Sequence, residues 1–308
     1  MKIGFIGLGA MGSGIALNLC KAGFDVSVFD LRKESAAPLL DAGARWAQTV
    51  HELASEADVV FTSVPGPKEM KDLALRDDGL LHAMRPGSAW FDLTTNAPSV
   101  VREVSVPFQA RGIAVLDAPV SGRPAGARSG KLAIYVGGDR DVFERHSNVL
   151  DAMGDRVMHV GPVGSGNVAK LVHNSISLVT RMAIAEGMTL GVKAGMDPLE
   201  LWHAVRQGAI GRVRTFDVLG DQYMQSKFEP ASFALRLAYK DFTLALELAR
   251  EVGVPMKQAE VAYQDYTEAL RRGWGDRDSR APMQLQNERA GVTIQASAED
   301  VQKTLARG

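Results

Sequence analysis

Three glycines, Gly7, Gly9 and Gly12, stand between an apolar run, Lys2–Ile6, that reads as a strand and a stretch, Met11–Ala22, with a helical period. Few folds accommodate such a junction. Gly7 allows the tight turn out of the strand, Gly9 lets backbone N–H groups approach an anion, and Gly12 lets the helix lie close on the strand. The helix then offers the positive end of its dipole at the same spot. Gly7-Leu8-Gly9-Ala10-Met11-Gly12 thus fits G-x-G-x-x-G in the strand-then-helix setting that gives the pattern meaning.

The second strand, Asp25–Phe29, ends at Asp30, 18 positions past Gly12. An acid there is placed to hold the adenosine ribose hydroxyls and to repel a 2′-phosphate. This favours NAD, with NADP still possible because Arg32 would reach such a phosphate. The glycines alone would serve tight packing equally well; the strand, the helix and Asp30 together point to a dinucleotide.

Further strands are expected at Asp58–Ser63, Ala89–Asp92, Ala114–Asp117, Leu132–Gly137 and Val157–Val160, with a proline-led helix at Pro98–Arg111. The alternation predicts a mostly parallel sheet covered on both faces, an α/β Rossmann-type doubly wound domain over 1–163. The texture changes after Gly164. One long helical pattern runs from Asn167 to Ala194, and others cover Pro198–Arg206, Arg214–Met224, Ser232–Val252 and Lys257–Arg272. The reading is an all-α C-terminal domain over 164–279, then a polar, weakly periodic tail over 280–308, mobile or lying on a neighbour.

At 308 residues the chain is long enough for two domains. Its net charge of −1 gives no reason to expect a nucleic-acid surface. The one cysteine, Cys20, excludes an internal disulfide framework and fits a cytoplasmic, reducing setting. The glycines break the apolar start of the chain, which argues against a leader, and no apolar run is long enough for a membrane span. The remaining histidines, His51, His82, His146, His159 and His203, lack metal-ligand spacing, so no metal is expected.

The segment Gly161–Asn174 is the second informative one. Its glycines mark a turn into the long helix, and Lys170 and Asn174, four apart, share a face. A solvated lysine beside a packing asparagine is the plain reading. The chemical one is proton transfer: hydride exchange at a carbonyl carbon moves a proton at its oxygen, and a lysine whose pKa is lowered by burial does this near neutral pH. His173, three from Lys170, either borders the same cleft or packs.

With these segments in hand the chain resembles the 3-hydroxyisobutyrate dehydrogenase, or β-hydroxyacid dehydrogenase, family over about residues 1–275. Four motifs carry the likeness: Ile6–Gly12, Asp117-Ala118-Pro119-Val120-Ser121-Gly122, Gly161–Asn174 and Lys240-Asp241. The resemblance implies that Ser121 and Gly122 seat a substrate carboxylate, that Lys170 is the general acid/base and that Asn174 assists it. It also implies that Lys240 reaches cofactor and substrate, and that Val64, Pro65 and Thr95 line the nicotinamide end. The implied activity joins NAD to a small 3-hydroxy acid such as 3-hydroxyisobutyrate, or to a semialdehyde like tartronate semialdehyde. The implied assembly is a homodimer or homotetramer built through the helical domain.

The family usually has a second glycine where this chain has Arg123. An arginine fork there would read an additional oxygen or anionic group, or face solvent. Three other readings remain. A 6-phosphogluconate dehydrogenase-like enzyme shares the Lys-x-x-His-Asn pattern, but Ser175 follows here in place of an acid. Imine reductases share the architecture but generally lack the lysine. A non-catalytic NAD-binding assembly module would bind cofactor without turnover.

Overall fold

In a computed structural model the described residues are 1–196, 201, 204–205, 207–212, 219–236, 238–239, 242, 246, 250, 253–291 and 293–306. Contacts divide the chain into two units, Met1–Ile176 and Ser177–Gly308.

The first unit alternates strands and helices. It begins with β1 (Lys2–Ile6), α1 (Gly12–Lys21), β2 (Asp25–Phe29), α2 (Ala37–Asp41), β3 (Arg45–Trp46), α3 (Val50–Glu56) and β4 (Val59–Thr62). It continues with α4 (Pro67–Leu75), α5 (Leu80–Ala83), β5 (Ala89–Asp92), α6 (Pro98–Ala110), β6 (Ala114–Asp117), β7 (Val120–Ser121) and α7 (Arg123–Ser129). β8 (Ala133–Gly137), α8 (Arg140–Arg145), α9 (Ser147–Asp151), β9 (Arg156–Gly161) and the start of α10 (Ser165–Lys193) complete it.

The sheet runs β3-β2-β1-β4-β5-β6-β8-β7, with β9 on β8. Strands β3 to β6 are parallel, and β8 is antiparallel to β6 and β7. The order reverses between β1 and β4, the crevice where such sheets take ligands. The expected strands all occur. The two that sequence did not show, β3 and β7, are two residues each, too short to have a period.

Continuous apolar runs become central strands because both faces of the sheet are covered. Val59, Phe61, Phe91 and Leu116 face one core, while Val60, Trp90 and Val115 face the other. Phe5, Phe61 and Phe91 stack across β1, β4 and β5 at 6.4 and 5.2 Å. Each is fully buried, and a phenylalanine in such a place contributes about 3–5 kcal/mol against alanine.

The second unit has its own small core of Leu235, Ala269 and Leu285. Expectation and structure part here in three places. Over Arg214–Met224, whose described part is 219–224, the chain runs in turns from Gly220 to Met224. Over Ser232–Val252, helix begins only at Leu235, because the buried Asp278 carboxylate captures the N–H groups of Ser232 and Phe233 at 3.0 and 3.1 Å and bends the chain. The stretch after Arg280 is not a loose tail. It forms helices Met283–Ala290 and Ala298–Ala306. Leu285 anchors the first in the core, while Arg289 pairs with Asp265 and Glu268 and Tyr223 donates to Asn287. Leu285 in the first helix and Val301 in the second, one buried apolar side chain each among the described residues, leave too faint a period to read from sequence. The helical expectation over 198–206 falls largely outside the described residues.

Candidate active site

The glycine loop has the geometry its sequence requires. Gly7 sits at φ 94°, and a methyl there would collide with the Ser63 carbonyl. A methyl on Gly12 would collide with the Gly7 carbonyl, whereas one on Gly9 would meet nothing. Asp30 fastens the loop: its carboxylate accepts from Leu8 N at 2.7 Å and from Arg32 N at 2.8 Å. Each carboxylate oxygen keeps lone pairs for a ribose hydroxyl. The N–H groups of Gly9, Ala10 and Met11 have no backbone partner among the described residues. Open space in front of Gly9, free donors and a helix start together suit a pyrophosphate.

Register then lines up the rest. Ile6, Thr62, Asp92 and Asp117 are successive partners across β1, β4, β5 and β6, all at the carboxyl edge. The last three are buried polar groups. Asp92 accepts from Thr62 Oγ1 at 2.8 Å and Asn96 Nδ2 at 2.7 Å, and burial pushes its carboxyl up to about 6. Just beyond this row lie Val64, Pro65 and Thr95. Val64 N donates to Thr94 Oγ1 at 3.1 Å, so a buried threonine that sequence reasoning passed over sets that loop.

Asp117 is the larger omission. Its carboxylate accepts from Gly164 N at 2.7 Å, Asn167 N at 2.7 Å and Asn167 Nδ2 at 3.2 Å. Asn167 Oδ1 in turn accepts from Asn96 N at 2.5 Å. The first turn of α10 is thereby tied to the ends of β5 and β6. Gly166 permits this approach, since a methyl there would lie 2.7 Å from the Asp117 carbonyl oxygen. Burial raises the Asp117 carboxyl above its ordinary pKa. The one hint in the sequence was an acid closing a buried strand.

One turn on, Lys170 is 9% exposed and has no hydrogen-bond or ion-pair partner among the described residues. Burial lowers its ammonium below the ordinary 10.5. Asn174 lies a further turn along α10, with its Oδ1 3.2 Å from His173 Nδ1. His173 Nε2 is 3.5 Å from Ser121 Oγ. Tyr135 of β8 stands 6.2 Å from the imidazole, ring centre to ring centre. Ser121, His173 and Asn174 are therefore in one array, and the Tyr135 ring stands beside it, unannounced by any motif. Gly122 is at φ 144°, and Arg123, exposed, is at φ 59°. Lys240 and Asp241 lie outside the described residues. No group of three or more potential metal ligands occurs among the described residues.

Residues 2–161 match the family described as the NAD binding domain of 6-phosphogluconate dehydrogenase. Residues 164–286 match the family described as NAD-binding of NADP-dependent 3-hydroxyisobutyrate dehydrogenase. The 3-hydroxyisobutyrate dehydrogenase of Pseudomonas aeruginosa is 37% identical over 255 residues, 81% of this chain and 86% of its own. The chain belongs to the 3-hydroxyisobutyrate dehydrogenase family. A 2-(hydroxymethyl)glutarate dehydrogenase of Eubacterium barkeri is 33% identical over 294 residues, 96% of this chain and 97% of its own. Among solved structures, a 3-hydroxyisobutyrate dehydrogenase of Mycobacterium tuberculosis with L-serine superposes with a TM-score of 0.64 at 29% identity, covering 92% of this chain and 98% of that one. As a member of this family the chain is an oxidoreductase, an NAD(P)-dependent dehydrogenase acting on hydroxy acids. No helix among the described residues is long and apolar enough to cross a membrane.

Proposed function

We propose that the enzyme interconverts a small 3-hydroxy acid and its semialdehyde, with Lys170 moving the proton at the substrate oxygen. The observation that carries this reading is the buried ammonium of Lys170, without a partner among the described residues, on a helix start bolted to the carboxyl edge of the sheet. Nicotinamide, when bound, accepts or supplies the hydride. In oxidation a neutral Lys170 takes the hydroxyl proton; in reduction its ammonium returns one. Asn174 offers an amide to the same oxygen, and the Ser121-Gly122 turn offers a hydroxyl and N–H groups to the carboxylate. Lys240 adds a cation for cofactor and substrate. A screen of small 3-hydroxy acids with NAD, read by nicotinamide absorbance, tests the reading; cofactor binding without turnover on any of them would overturn it. We also assign the enzyme to the cytoplasm, which the single cysteine supports, and to a homodimer or homotetramer.

NAD is the preferred cofactor on this reading, with Asp30 as its selector. Asp30→Ala should lower kcat/KM for NAD by roughly 10- to 100-fold, the worth of charge-assisted bonds of about 1.5–3 kcal/mol, and should narrow the preference over NADP. An unmodified enzyme faster with NADP would show that Arg32 governs the choice.

Arg123 occupies left-handed backbone, which costs a residue with a Cβ about 1–2 kcal/mol, beside the turn assigned to the carboxylate. Arg123→Gly should raise the unfolding free energy by roughly 0.5–1 kcal/mol, since glycine's greater freedom in the unfolded chain offsets part of the relief. The same variant should bind anionic substrates less well. A denaturant melt and KM values check both; a less stable variant with unchanged KM would remove Arg123 from recognition.

A further inference from the structure

The array joining Ser121 to Asn174 has a chemical direction. Asn174 Oδ1 has only lone pairs to offer, so the ring nitrogen 3.2 Å from it, His173 Nδ1, carries the proton. In the neutral ring that leaves Nε2 as an acceptor. Its neighbour, Ser121 Oγ, is 3.5 Å away, at the long limit of a hydrogen bond. The imidazole is exposed, while Ser121, Tyr135 and Asn174 are half-buried around it. Nε2 is thus an accessible acceptor with a poorly made bond, held in place on its other side.

On the reading that Ser121 takes the carboxylate and Lys170 with Asn174 the reacting oxygen, the position of this acceptor has a meaning. Carbon 1 of a 3-hydroxy acid belongs at Ser121 and carbon 3 at Asn174. His173 stands 3.5 Å from Ser121 Oγ and 3.2 Å from Asn174 Oδ1, so it flanks the span between them, where the substituent on carbon 2 projects. A methyl group presents nothing to a nitrogen lone pair, whereas a hydroxyl presents a proton. We infer that His173 selects 3-hydroxy acids that carry a hydrogen-bond donor on carbon 2, a hydroxyl before all, over those that carry a methyl.

The ratio of kcat/KM for 2,3-dihydroxypropanoate to that for 3-hydroxy-2-methylpropanoate reads the selection directly. An exposed neutral hydrogen bond gives a preference of about tenfold. His173→Leu should bring the ratio to about one, and His173→Gln, which keeps an acceptor, should restore part of it. A parent enzyme that prefers the methyl compound, or a His173→Leu ratio equal to that of the parent, overturns the inference. Calorimetric titration of parent and variants with each acid in the presence of NAD reads the same ratio in binding. An enzyme that binds both acids but turns over neither sinks the proton-transfer reading and leaves the test of His173 standing.

Discussion

Replacing Lys170 by alanine is expected to reduce turnover by about 10²–10⁴-fold, the range of general acid-base catalysis, with NAD affinity close to that of the parent. The reason lies in placement. Lys170 sits two turns into a helix whose start is held by Asp117, and the glycine loop that suits the dinucleotide is a different element. The pH dependence gives an independent check with a definite sign. Oxidation needs the neutral amine. Burial stabilises that form and lowers the pKa below 10.5, so kcat/KM for oxidation should rise with pH and level off below that value. In the direction of reduction the limb inverts, because the ammonium is then the required form. Lys170→Ala should lose this limb. Lys170→Arg should also fail, since a guanidinium keeps its proton at any accessible pH. An active arginine variant would show that Lys170 serves by charge alone.

Asp117→Ala should be the most damaging change outside the reacting groups. It leaves the N–H groups of Gly164 and Asn167 without their acceptor in a buried setting. At about 1–3 kcal/mol for each orphaned donor, the loss is roughly 2–6 kcal/mol, a large part of the stability of an ordinary domain. The carboxylate is itself costly to bury, as its raised pKa records, so Asp117→Asn, which keeps one acceptor oxygen without charge, should fall between. Any Asp117→Ala protein that folds should also turn over slowly, because a displacement of about 1 Å at a reacting group costs on the order of 10²-fold. Denaturant melts and kcat on the same preparations separate the two effects. A variant as stable and as fast as the parent would mean that α10 is held in another way.

Several features are legible in the chain of residues by itself. The glycine loop is one, because each glycine answers a local demand: a positive φ at Gly7, open space at Gly9, a close approach at Gly12. The central strands are another, because burial on both faces writes itself as unbroken apolar runs such as Val59-Val60-Phe61. The spacing of Lys170 and Asn174 is legible for the same reason, as two residues four apart on a helix must share a face. Arg123 stands out as unusual, but its left-handed backbone does not follow from its neighbours.

What sequence alone determined, then, was whatever depends on neighbours within a turn or a strand: the doubly wound sheet, the glycine loop between β1 and α1, Asp30 at the end of β2, and a lysine and asparagine on one helix face. Tertiary structure decided which distant groups meet. Asp117 finds Gly164 and Asn167 across 47 and 50 positions, and Ser121 finds His173 across 52. Such meetings rest on strand register, on glycines small enough for backbones to touch, and on the burial that makes an unpaired carboxylate or N–H too costly to leave. The helix Met283–Ala290 belongs to the same class, since a single core leucine stabilises a helix only once there is a core to receive it. Local periodicity records the face an element buries; it holds no record of what that face is buried against.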